Sequence, residues 1–453
     1  MKSINPATDE VEATYEQMDD QTLDHIINDA VQAQEEWQKR SFDERSQILI
    51  KAAKILKSRK NEFAELMARE MGKPLPQGVS ESEKCAWVCN YYAENAEGFL
   101  EDEYIESDAE KSYVTFNPLG TVLAIMPWNF PFWQLFRFAS PALMAGNAAI
   151  LKHAPNVTGC ALAIEDVLHE AGIPRALFRT VVVDVEQTQQ LIKHTGIAAV
   201  TLTGSTRAGR AVASTAGEEL KKTVLELGGS DPYLILKDAD LEQAAETCVT
   251  SRLINSGQSC IAAKRLIVVE ENYDSFLQKV VDQMSRMKFG DPFEDETDIG
   301  PMARKDLREK LHQQVRESIK RGANCVLGGE IPDCKGAFYP PTVLTNVAKG
   351  MPAYEEELFG PVVAVIKVAD ENEAISVAND TEYGLGAAVF SANIVRAEQL
   401  AAKKLKAGCC FVNDFVKSDP RLPFGGIKKS GLGRELSHFG IMEFVNKKTI
   451  YIN

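Results

Sequence analysis

Three residues far apart in the chain carry groups that together can process a carbonyl compound through a covalent intermediate. Cys260 closes the run Asn255-Ser256-Gly257-Gln258-Ser259-Cys260. Glu226 sits in Leu225-Glu226-Leu227-Gly228-Gly229, and Asn129 in Pro127-Trp128-Asn129-Phe130-Pro131. The thiolate of a cysteine is a strong nucleophile, although a free thiol with a pKa of about 8.5 is mostly protonated at neutral pH. A carboxylate at an apolar strand end is costly unless it is paired or used. Partial burial raises its pKa toward that of a working base. A neutral amide between two prolines can donate to a developing alkoxide, with the Cys260 N–H as a second donor.

Such groups need rigid elements to hold them. Amphipathic helices open the chain: Ile26, Ala30, Val31 and Ala33 follow helical spacing, and Ser41 with Glu44 forms a capping pattern. Short apolar strands then alternate with helices. Strands are expected at Val122–Met126, Ala148–Leu151, Val181–Val183 and Ala199–Leu202. This alternation predicts a doubly wound parallel nucleotide-binding sheet. A second alternating set starts near Tyr233 and includes Arg265–Val269, Val362–Ile366, Ala387–Phe390 and Cys410–Val412. It predicts a second α/β domain carrying Cys260. Residues 101–117 alternate polar and apolar like a hairpin outside the main sheet, and residues 446–453 read as an edge strand needing a partner.

Bulk properties narrow the function. The net charge of -15 argues against a general nucleic-acid binder or a protein held to anionic lipid. An anionic ligand would therefore need a locally positive pocket. No run approaches the roughly 20 apolar residues of a membrane span, and the first residues contain no apolar signal core, so cytoplasmic residence is expected. Nine scattered cysteines fit no disulfide framework, and six scattered histidines offer no metal motif.

Taken together in order and spacing, these motifs resemble the aldehyde dehydrogenase superfamily over nearly the whole chain, from Asn5-Pro6-Ala7-Thr8 to Phe424-Gly425-Gly426. Leu151-Lys152-His153-Ala154-Pro155-Asn156 is similar to the bacterial succinate-semialdehyde dehydrogenases within it. The resemblance implies a dinucleotide-binding domain of residues 1–100 and 118–236 and a catalytic domain of residues 237–417. An oligomerisation arm and C-terminal segment would comprise residues 101–117 and 418–453. It implies Cys260 as nucleophile, Glu226 as general base and Asn129 as oxyanion donor. A homodimer or homotetramer is implied as well, with no metal.

The resemblance also assigns the cofactor and substrate positions. Thr203-Gly204-Ser205-Thr206-Arg207-Ala208-Gly209 departs from G-x-G-x-x-G spacing and would be the family's variant dinucleotide turn, with Gly204 and Ser205 near the cofactor. Trp128, Glu357 and Phe359 would face the nicotinamide half, and Lys152 the adenosine ribose. Pro155 stands where NAD-preferring relatives often carry Glu, so NADP is permitted beside NAD, with Lys152 or His153 supplying charge. Arg137 and Ser418 would hold a distal substrate carboxylate, although Ile254 replaces a second arginine of some relatives. Two alternatives follow: oxidation of another small aldehyde (glutarate semialdehyde, lactaldehyde or an aliphatic one), or acyl transfer to coenzyme A. Ala262 excludes a disulfide switch with a neighbouring cysteine.

Overall fold

A computed structural model describes residues 1–453. In its first large sheet, six strands lie in the order Gly431–Leu432, Lys222–Glu226, Ile197–Thr203, Thr121–Met126, Ala148–His153 and Phe178–Thr180. Every pairing is parallel except that of the short edge strand Gly431–Leu432. The chain winds from Thr121–Met126 outward to Phe178–Thr180. It then crosses to the other side for Ile197–Thr203 and Lys222–Glu226. Strand order therefore reverses between Thr121–Met126 and Ile197–Thr203. Ligands of such sheets bind beyond the carboxyl ends of the strands at that reversal. The segments leaving these two strands are Pro127-Trp128-Asn129 and Gly204-Ser205.

The second sheet has seven strands in the order Asn324–Leu327, Thr342–Thr345, Val362–Val368, Ala263–Val269, Asp231–Ile235, Gly386–Phe390 and Cys409–Val412. Only its first pair is antiparallel. Alternate residues point to opposite faces of a strand. Accordingly Leu234 and Ile267 join one apolar cluster, while Tyr233, Ile235, Leu266 and Val268 join another on the opposite face. Both faces are covered by helices, which is why these strands are apolar throughout.

Three expectations need correction. Asp231–Ile235 pairs within the second sheet, so the change of sheet falls between Glu226 and Asp231 and not at residue 236. Residues 418–453 are more than an arm, because Gly431–Leu432 returns to the first sheet beside Glu226. Val181–Val183 is buried but lies outside the ladder, whose strand is Phe178–Thr180. The Val181 N–H still donates to the Leu151 carbonyl (2.8 Å), and the backbone then departs toward Met18. Burial explains the apolar run without a strand.

The local signals hold where chemistry is short-range. Ser41 caps the helix Phe42–Ser58 with a reciprocal box to Glu44. Gly72 ends the helix Lys60–Met71 in a left-handed conformation. The expected outlying hairpin is a three-stranded sheet in which Lys111–Pro118 lies between Glu103–Tyr104 and Val445–Ile452. No helix is long and apolar enough to cross a membrane.

Candidate active site

Cys260 stands at the end of an unusual turn. The helix Leu241–Leu253 stops, and Asn255, Ser256 and Gly257 take positive φ angles of 58°, 54° and 74°. Such angles are unfavourable for Asn and Ser, and surrounding bonds must enforce them. The Asn255 side chain donates to the carbonyls of Asn129 (2.7 Å) and Gln258 (3.2 Å), and Ser256 Oγ donates to the Gly300 carbonyl (3.0 Å). Arg252, fully buried, donates to the Gly257 carbonyl. A Cβ at position 257 would collide with the Gly360 carbonyl, so the position needs glycine for space as well as for φ. The turn delivers Cys260 to the amino-terminal end of the second sheet, facing the carboxyl ends of the first.

Two cavities meet at this sulfur. One is lined by Trp128, Asn129, Gly204, Ser205, Gly228, Glu357 and Phe359, together with residues of the helix Lys305–Lys320. The other, of about 310 Å³, is lined by Lys84, Trp133, Arg137, Ile254, Ser418 and Phe424 among others. Cys260 and Gln134 belong to both. The second cavity is at the small end of the range for ligand sites, which suits a short substrate.

Burial pushes the Cys260 thiol up to about 12, against the pull of Lys264 and Arg137. The resting sulfur is therefore protonated. Asn129 Nδ2 donates to the Gln258 carbonyl at 3.1 Å. An amide has two N–H donors, so one orients the group and the other is free for an oxyanion. Glu226 ends the strand Lys222–Glu226, fully buried, and neither of its carboxyl oxygens has a hydrogen-bond partner. Burial, then the neighbouring Glu435, raise its pKa well above the usual carboxylate range, opposed by Arg137 and Arg434. A side chain at Gly425 would crowd Glu226 Oε1, placing the atoms 2.7 Å apart.

The first cavity fits a dinucleotide. A Cβ at Gly204 would make only ordinary contact with Leu202, at 3.7 Å, and Ser205 caps the helix Thr206–Glu218 by accepting from the Ala208 N–H at 3.3 Å. A helix amino terminus there suits a pyrophosphate. Trp128 and Phe359 meet edge to face at 5.7 Å and form an apolar wall for a flat ring. Glu357 points inward: its Oε1 accepts from the Gly229 N–H at 3.0 Å and lies 3.4 Å from Lys264 Nζ. Lys152 and Pro155 lie outside this lining, at the end of the strand Ala148–His153 beside the Trp128 loop. His153 cannot supply the charge expected of it. It is buried, Nδ1 accepts from the Ala154 N–H, Nε2 faces the Pro131 carbonyl, and burial lowers its pKa to about 4.

The aldehyde dehydrogenase family model matches residues 1–450. The chain belongs to the aldehyde dehydrogenase family. It is 47% identical over 450 residues to a probable succinate-semialdehyde dehydrogenase [NADP(+)] of Synechocystis sp., with 99% of each chain covered. It is 45% identical over 449 residues to a succinate semialdehyde dehydrogenase [NAD(P)+] of Escherichia coli, covering 99% of this chain and 97% of that one. The structure superposes on that of succinic semialdehyde dehydrogenase from Streptococcus pyogenes in complex with NADP+ at a TM-score of 0.97. Identity to it is 39%, with 100% and 99% of the two chains covered.

Within this aldehyde dehydrogenase, Arg137 differs from the simple clamp expected of it. The residue reaches the wall of the second cavity, yet its Nε forms an ion pair with the buried Glu435, and Nη2 donates to Thr203 Oγ1 at 3.1 Å. Its charge is already compensated. Sequence reasoning missed Glu435, Lys264, Gln134 and Lys84. None sits in a motif that signals it, and Glu435 meets Arg137, Lys264 meets Glu357 and Lys84 meets Ser418 only through the fold. No group of three or more His, Cys, Asp or Glu side chains is placed to hold a metal.

Proposed function

We propose that this aldehyde dehydrogenase oxidises succinate semialdehyde to succinate with NADP or NAD, through a thioester on Cys260. The observation that carries this reading is the cationic second cavity. In a chain of net charge -15, its wall holds Lys84, Arg137 and Lys417 beside the nucleophile; Glu81, Arg137 and Lys417 are ion-paired with Lys73, Glu435 and Asp414, which leaves Lys84 as its uncompensated charge. The names of the relatives point the same way. The Cys260 thiol gives up its proton to water in the cavity, and the thiolate attacks the aldehyde carbon while Asn129 Nδ2 and the Cys260 N–H receive the oxyanion. Trp128, Gly204, Ser205, Glu357 and Phe359 would hold the nicotinamide cofactor, which when bound supplies the hydride acceptor that turns the adduct into a thioester. Ionised Glu226 then takes a proton from water, whose oxygen attacks the thioester and releases the acid. Ser418 and the remaining N–H groups of Arg137 face the substrate's distal end. The free carboxyl of Glu226 favours water over coenzyme A as acyl acceptor, because a thiol acceptor needs no water-activating base.

The strand Val445–Ile452 is an exposed sheet edge, and such an edge favours pairing between subunits as a homodimer or homotetramer. All nine cysteines are free, which suits a reducing compartment such as the cytoplasm.

The test is kcat/KM for succinate semialdehyde, glutarate semialdehyde, lactaldehyde and butanal, each with NAD and with NADP. The reading requires the highest value with succinate semialdehyde, and equal efficiency with butanal would defeat it. Asn129→Ala should lower kcat by about 10²–10³, the usual loss for one oxyanion donor, with cofactor binding retained. Loss of cofactor binding instead would make Asn129 structural. Pro155→Glu should weaken NADP about tenfold more than NAD, through repulsion of the 2′-phosphate by a new carboxylate. Fluorescence titration of both cofactors measures this, and equal weakening would show that only the loop was disturbed.

A further inference from the structure

We propose that Lys84, not Arg137, is the specificity-determining cation of this site, binding the distal carboxylate of the substrate together with Ser418. The inference rests on the functional reading above and deepens it. Lys84 lies on the helix Leu75–Phe99 and shares the cavity with Cys260. Its Nζ donates to Ser418 Oγ at 2.9 Å and stands 4.2 Å from the centre of the Trp133 ring.

Charge bookkeeping singles it out. Arg137 faces Glu435, Lys417 Nζ is 2.6 Å from Asp414, and Lys73 faces Glu81. Lys84 forms no ion pair, and its contacts are a hydroxyl and an aromatic face. A half-buried ammonium on a cavity wall lacks the countercharge that normally accompanies its withdrawal from water. Burial and then Arg137 hold its pKa down to about 8, while Cys85, Glu81 and Asp419 act in the opposite direction. An arriving carboxylate would complete the pairing at the end of the cavity where Ser418 already offers a donor. A neutral aldehyde would leave the ammonium uncompensated. The site would thereby select for the acid group and against the plain aldehyde.

The experiment measures kcat and KM for succinate semialdehyde and butanal in the wild type, Lys84→Met, Lys84→Gln and Lys84→Arg. The glutamine keeps a hydrogen bond to Ser418 without the charge, so it tests the charge even where the methionine variant misfolds. The ratio of kcat/KM, succinate semialdehyde over butanal, should fall about 100-fold in both neutral variants, mostly through KM. Lys84→Arg should recover at least a tenth of the wild-type ratio. An unchanged ratio in the neutral variants, with both substrates equally impaired or neither, would reduce Lys84 to a structural contact. A wild type that does not prefer the carboxylated aldehyde would instead defeat the functional reading itself. A wild-type preference that survives loss of the charge defeats only the role of Lys84.

Discussion

Cys260→Ala should remain folded, bind NADP and lose aldehyde oxidation by about 10⁴-fold or more, as when a covalent nucleophile is removed. The fold should survive because the thiol makes no hydrogen bond. The turn before it is held by Arg252, Asn255 and Ser256, while Lys264 Nζ bonds the backbone carbonyls of Ser259 and Cys260. The loss is large because no other thiol can substitute. Cys85, Cys89, Cys160 and Cys248 are buried, while Cys325, Cys334, Cys409 and Cys410 line neither cavity at the junction. Circular dichroism and cofactor titration separate folding from chemistry. Substantial turnover by a folded variant would remove Cys260 from the mechanism. The protonated resting thiol has a corollary: alkylation of the free enzyme should be slow at neutral pH and accelerate as pH rises.

Glu226→Gln should retain the first hydride transfer and lose thioester hydrolysis by about 10²–10⁴-fold, the usual contribution of a positioned base. Reduced cofactor should then appear as a burst of about one equivalent, followed by slow turnover. Wild-type deacylation should rise with pH, because only the ionised carboxyl accepts a proton and its pKa is raised. That limb should vanish in the variant. A carboxyl whose folded pKa exceeds its unfolded value of about 4.3 favours folding while protonated and loses that contribution as pH rises through the folded pKa. Glu226→Gln should therefore gain stability relative to the wild type as pH rises above the unfolded value of about 4.3. Unchanged steady-state turnover would show that another group activates water.

The sequence carried the parts of this site that short segments can encode. A nucleophile turn, a strand-end carboxylate and a proline-flanked amide are each readable over about five residues, and the alternation of apolar strands with helices placed them on two parallel sheets. The limits were set by distance in the chain. Asp231–Ile235 falls in the alternating set read as the second domain, and only its pairing shows that the change of sheet comes before it, between Glu226 and Asp231. Arg137 looked available because its partner Glu435 lies nearly three hundred residues away and is brought close only by the return of Gly431–Leu432 to the first sheet. Lys84 sits between Glu83 and Cys85 on a long helix with no motif around it, and only the packing of that helix against the cavity brings it to Ser418. His153 failed in the opposite sense: a histidine next to a lysine suggests positive charge, but its ring is spent on local backbone hydrogen bonds.

On the proposed mechanism, one sulfur at the junction of two cavities carries the substrate as a thioester that Glu226 resolves. Rapid-quench mass spectrometry of Glu226→Gln, mixed once with succinate semialdehyde and NADP, tests it most directly. The predicted result is a succinyl group on the peptide containing Cys260, in amount equal to the burst of reduced cofactor. Reduced cofactor formed without any acylated Cys260, or acylation at another residue, would contradict it.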